Sequence, residues 1–147
     1  MGKNPDKSHF VLFLTICLCR LGMIGIRWED LSLKSMAVIE DVLLLRITEF
    51  TKIGLPGFLI GSVNMGYRWF IVEGIRDEVY KKIIEIYGRG HMNISDGREF
   101  ANIIYALGKG GAKEAGIPPQ VVKVLLERLV DIESSINALA ISNIMYG

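Results

Sequence analysis

The stretch Asn102-Ile-Ile-Tyr-Ala106 returns 41 residues later as Asn143-Ile-Met-Tyr-Gly147, and that recurrence sets how the rest of the chain is read. Self-similarity at a period of about 20–50 residues is the signature of arrays built from one repeated supersecondary unit. Around the first copy, Phe100, Ile103, Ile104 and Leu107 recur at helical spacing. Asp96 and Glu99 have the form of a capping box at its start, and Gly108 is expected to stop it.

The same grammar extends toward the amino terminus. Residues 9–21 are apolar and helix-length, with Ser8 as the expected cap and Gly22 as the expected left-handed stop. A second helix is expected over 35–50, stopped by Gly54, and a short one over Phe58–Met65, stopped by Gly66. Asp77–Tyr87 carries Val79, Ile83, Ile84 and Tyr87 on one face and closes at Gly88. Pro118-Pro119 opens a helix through Leu129, and Ser134, Ser135 or Asn137 caps a last one running to Tyr146. Trp69–Val72 is the single strand candidate.

The helix ends Leu21-Gly22, Met65-Gly66 and Leu107-Gly108 lie 44 and then 42 residues apart, with one longer amphipathic helix between each pair at 35–50, 77–87 and 119–131. The expected fold is therefore all-α: an α-solenoid of stacked helix A/helix B hairpins with a period of about 41–44 residues, since such pairs bury their apolar faces only against neighbours. The whole of 1–147 reads as one array, with 1–57 a divergent first repeat and 58–147 better matched. The last helix A has no helix B after it, and its Ile136, Leu139, Ile141, Ile144 and Met145 are distributed around it. Either further chain or a partner subunit is expected to cover it.

Composition narrows the function. Half of the 147 residues are apolar, which excludes a disordered chain. The 17 Lys and Arg against 16 Asp and Glu leave a charge of +1, so no basic polymer-like arm binds nucleic acid by charge alone. Cys17 and Cys19 stand two apart and point to different sides of a helix, so they read as buried small hydrophobes. Lys3 and Lys7 before Phe10–Cys19 imitate a secretory signal, but ten apolar residues closed by Arg20, with no small-residue cleavage site after them, favour a core helix. Asp6 stands where N-myristoylation needs Ser or Thr. Asn93-Ile94-Ser95 is a glycosylation sequon only in a secreted chain, and Ser95 reads better as part of a helix start.

Phe100-Ala-Asn-Ile-Ile-Tyr-Ala-Leu-Gly108, its second copy Ile141-Ser-Asn-Ile-Met-Tyr-Gly147, and Ile117-Pro-Pro-Gln-Val-Val-Lys-Val-Leu-Leu-Glu-Arg-Leu129 between them resemble the octotricopeptide and heptatricopeptide repeats and the leucine-rich region of FAST-kinase-like proteins. The resemblance covers about Asp77 to Gly147; before that only the helix–Gly stops and the period persist. Tyr105 and Tyr146 stand where the family commonly has Trp, and the family's C-terminal RAP domain has no counterpart. The resemblance implies an organellar protein concerned with RNA, mitochondrial or alternatively in a chloroplast or other plastid: transcript maturation, transcript stability or a place in an organellar ribosome.

The candidate RNA-binding residues are Arg68, Arg76, Lys81, Lys82, Arg89, Lys109, Lys113, Lys123 and Arg128, because Lys and Arg on one face of successive repeats position a phosphate backbone. Residues 58–147 nonetheless hold ten bases and ten acids, the pattern of solvated faces. Tyr67, Trp69 and Phe70 can stack on bases or pack between repeats. His9 and His91 lack the spaced partners of a triad or metal site, so no enzyme, cofactor or metal is indicated. Gly108-Lys-Gly-Gly-Ala-Lys113 lacks the spacing and hydroxyl of a phosphate loop and reads as an inter-helix turn. The expectation is a non-catalytic structural subunit of an organellar ribonucleoprotein, foremost the mitochondrial ribosome, in contact with other subunits and rRNA and with no membrane. The alternatives are a free RNA-binding factor, marked by strong salt dependence, and a membrane-complex subunit anchored by residues 9–26.

Overall fold

A computed structural model describes residues 5–88, 97–131 and 145. Among them every regular element is helical: α1 (Pro5–Met23), α2 (Leu33–Arg46), α3 (Gly54–Asn64), α4 (Glu73–Tyr87), α5 (Gly97–Lys109), α6 (Ala112–Ala115) and α7 (Pro119–Asp131). Short 3₁₀ turns stand at Trp28–Asp30, Ile47–Glu49 and Trp69–Ile71. The all-α class is as expected. Trp69–Ile71 is a 3₁₀ turn, not the strand its β-branched and aromatic neighbours suggested. The expected last helix lies, apart from Met145, outside the described residues.

Several helix ends differ from expectation, each for a local reason. Proline suits the first turn because its missing N–H has no intrahelical partner there, so α1 starts at Pro5 and leaves Ser8 inside. The same tolerance places Pro56 in the first turn of α3, which begins at Gly54 instead of Phe58. Helix α2 is capped by Ser32, whose hydroxyl accepts the Ser35 N–H at 3.1 Å, and its expected last turn is the 3₁₀ turn Ile47–Glu49. Gly22 and Gly108 do not stop helices; both lie inside them.

The true stops are Gly25, Gly66 and Gly111, with φ of 82°, 89° and 93°. At the first two the closing hydrogen bonds are the same. Gly25 N–H reaches Gly22 O and Ile26 N–H reaches Leu21 O; Gly66 N–H reaches Val63 O and Tyr67 N–H reaches Ser62 O. This paired pattern around a left-handed glycine is the Schellman motif. The stop-to-stop offsets are therefore 41 and 45 residues, in place of 44 and 42.

Helix α1 packs on α3 and α3 on α5; α2 packs on α4 and α4 on α7. The described chain thus runs back and forth between two rows of helices. In the first row the approach is close because α3 presents Gly57 and Gly61 to α1. A Cβ on Gly61 would stand 2.7 Å from the Cys19 backbone nitrogen, and one on Gly57 would stand 3.0 Å from Thr15 Cγ2. The Cys19 thiol donates to Gly57 O at 3.1 Å across the same seam. With α1 on one side and α5 on the other, Leu55, Phe58 and Leu59 of α3 are fully buried.

The turns between the rows are tied to one another as well. Trp28 N–H donates to Met65 O at 2.7 Å, and Phe70 N–H donates to Gly110 O at 3.1 Å; each acceptor immediately precedes a stop glycine. Aromatic rings fill the space between: Trp28 lies 3.9 Å from Tyr67, and Tyr67 meets Trp69 edge-on at 4.5 Å. Trp69 and Phe70 are fully buried and Tyr67 nearly so. Burying one such side chain contributes roughly 1.5–3 kcal/mol, far more than the exposed ion pairs along α4, at about 0–1 kcal/mol each.

Candidate functional site

The third turn collects cations. Gly111 is left-handed, and Arg68 from the preceding turn lies over it, its Nη2 and Nε 3.1 and 3.3 Å from the position a Gly111 Cβ would take. Two residues to either side of Gly111 stand Lys109, whose ammonium is 5.9 Å from the Tyr105 ring centroid, and Lys113; Arg68, Lys109 and Lys113 are all exposed. Phe70 holds the turn in place through its N–H to Gly110 O and its ring against Gly110. Three of the nine expected RNA-binding residues are thereby brought to one edge of the molecule, where the first row passes into the second.

Five others belong to the second row and face carboxylates of their own helix. Arg76 is 3.2 Å from Asp77 and 3.9 Å from Glu73; Lys81 is 2.5 Å from Glu78, and that bond and charge raise the Lys81 pKa. Lys123 lies 3.9 Å from Glu127, and Arg128, largely covered, is 2.6 Å from Asp131. Lys82 is a correction. Its side chain is 6% exposed and its ammonium donates to Thr48 O at 3.3 Å and to Glu85 at 3.0 Å. It ties α4 to the turn after α2, and reaching a phosphate would require breaking that bond. Arg89 lies outside the described residues.

One residue of this edge was missed by sequence reasoning. Gly25-Ile-Arg27-Trp28 and Gly66-Tyr-Arg68-Trp69 are the same motif 41 residues apart, and Gly111-Ala-Lys113 repeats its glycine and cation. Arg27 is exposed and pairs with Glu29 at 2.9 Å. The signal was legible in the sequence, but anchoring the alignment on Gly22 displaced it by three residues.

Other polar contacts hold elements to one another. Tyr67 Oη donates to Glu40 at 2.6 Å, and burial, followed by that bond and the glutamate charge, pushes the Tyr67 pKa well up. Burial likewise raises the pKa of Tyr80, whose hydroxyl donates to Gly116 O at 3.2 Å, and of the Cys19 thiol. Tyr67, Trp69 and Phe70 pack between turns and leave no ring face to a base. Among the described residues no His, Cys, Asp and Glu cluster able to hold a metal exists, and no helix is long and apolar enough to cross a membrane. His9 is exposed, and His91 lies outside the described residues. No family model, curated protein or solved structure matches the chain.

Proposed function

We propose that this protein is a non-catalytic helical-repeat subunit of an organellar ribonucleoprotein, foremost the mitochondrial ribosome. In this reading its two rows of helices are an α-solenoid, it acts by shape and by contacts with neighbouring subunits, and it touches RNA phosphate at the turn edge through Arg68, Lys109 and Lys113. The observation that carries the reading is the recurrence of one turn, with the same left-handed glycine and a cation two residues beyond it, at each passage from the first row to the second. Phosphate contact asks for exposed cations on a rigid edge, not for sequence-reading pockets. The near-neutral charge fits a scaffold that meets RNA at one edge and protein elsewhere.

The test is fluorescence anisotropy with a short single-stranded RNA over a series of salt concentrations. Binding that weakens with salt is expected, with the log–log slope falling by about 0.7 for each phosphate contact removed. The triple change Arg68→Gln, Lys109→Gln, Lys113→Gln should flatten that slope by about 2, while Lys81→Gln with Lys123→Gln leaves it unchanged. No affinity at low salt removes the RNA contact. Free sedimentation of the native protein, apart from organellar ribosomal subunits, removes the ribosomal placement.

A further inference from the structure

We infer that the outer face of α1 and α2 is a seat for a second copy of this chain, joined about a two-fold axis with the α2 helices antiparallel. A groove of about 370 Å³ runs between the two helices there, lined by Leu14, Leu18 and Leu21 of α1 and by Lys34 and Val38 of α2. It continues into a second groove with Phe10, Asp41 and Leu45. On α2 the residues facing out are Lys34, Val38, Asp41 and Leu45, whose 4-3-4 spacing is that of a helix-packing seam. On α1, Phe10, Leu14, Cys17 and Leu21 have the same spacing.

The fold itself shows that such a face is normally covered. The 41-residue offset carries Leu14, Leu18 and Leu21 onto Leu55, Leu59 and Ser62 of α3, all fully buried. It carries Val38 and Asp41 onto Val79 and Lys82 of α4, which are also buried. In the first unit Leu18 is buried too, but Leu14 and Leu21 are only half-buried and Val38 and Asp41 are exposed, with Leu45 beside them 79% exposed.

Charge selects the occupant. Lys34 and Asp41 are exposed, opposite in sign and seven residues apart on one seam. An antiparallel α2 from a second copy, centred between Ala37 and Val38, sets Lys34 of each copy against Asp41 of the other and brings the two Val38 side chains together at the axis. A two-fold contact needs such self-complementarity, and two-fold dimers are the commonest soluble assembly. The apolar grooves supply affinity and the charge pairs fix register. The dimer stands whether or not the chain binds RNA.

The experiment is sedimentation velocity of the full chain from about 1 to 100 µM, a range that reads micromolar dimerisation. The wild type should pass from monomer to dimer. Asp41→Lys, which sets a lysine against the other copy's Lys34 at both symmetric contacts, should weaken the dimer about tenfold or more. Lys34→Asp combined with Asp41→Lys should restore it, because the pair is exchanged and not lost; both sites are exposed, so neither change threatens the fold. A wild type that stays monomeric throughout overturns the inference. So does a dimer indifferent to Asp41→Lys, or a doubly changed chain that stays as weak as the single one, since both outcomes place another surface or another partner at the contact.

Discussion

Tyr67 shows how one residue links three parts of the molecule. Its N–H closes α3, its ring lies between Trp28 and Trp69, and its hydroxyl reaches Glu40 on α2. Because burial and Glu40 both disfavour the phenolate, the folded chain keeps this proton above the pH at which an unfolded tyrosine releases it. The stability this supplies is intact below pH about 10 and is lost as pH rises beyond it. Tyr67→Phe is therefore expected to cost about 0.5–1.5 kcal/mol at neutral pH, through the lost hydrogen bond. It should also make the alkaline decline shallower, though not flat, since Tyr80 shifts in the same direction. Denaturant melts between pH 8 and pH 11 read both effects; an unchanged alkaline slope would mean that the Tyr67 hydroxyl faces water.

At the scale of elements, the distance between α1 and α3 is set by what α3 lacks. A methyl on Gly61 would meet the α1 backbone at Cys19 N and at Leu18 C, 2.7 and 2.9 Å away, so the helices would have to separate. Gly→Ala inside a helix ordinarily gains up to about 1 kcal/mol, but overpacking costs about 1–3 kcal/mol, and here the second effect wins. Gly61→Ala should lower stability by about 1–2 kcal/mol. Gly74→Ala, in the first turn of α4 with open space around it, should not. Thermal melts of the two variants separate the cases, and a Gly61→Ala chain as stable as the wild type would mean that the seam is looser than this. The turns obey a parallel logic. Gly25, Gly66 and Gly111 carry positive φ, which a residue with a Cβ adopts only at a cost of about 1–2 kcal/mol.

Across the whole molecule, each helix pair touches mainly its neighbours, and Phe70 is a hinge pin between the second and third. Its ring stacks on Tyr80 at 5.4 Å and presses on Gly110, while its N–H holds the Gly110 carbonyl. Phe70→Ala should cost about 3–5 kcal/mol. In a chain stabilised by nearest-neighbour contacts the loss falls unevenly. Hydrogen exchange should quicken in α5 and α7 before α1 and α2, and uniform quickening would point to one undivided core. Much of this was legible beforehand: helix periodicity and the breaks at Gly and Pro determined an all-helical chain, because burying an apolar stripe leaves a periodic trace in sequence. The stops at Gly25 and Gly111, in place of Gly22 and Gly108, were decided only by tertiary structure. A glycine placed in a helix for close approach and one placed after it for positive φ look alike in sequence, and only the neighbouring helix tells them apart. The cations divided for the same reason: Lys81, Lys82, Lys109 and Lys113 are alike as letters, but packing sends Lys82 inward to Thr48, leaves Lys81 beside Glu78, and gathers Lys109 and Lys113 with Arg68 around one turn.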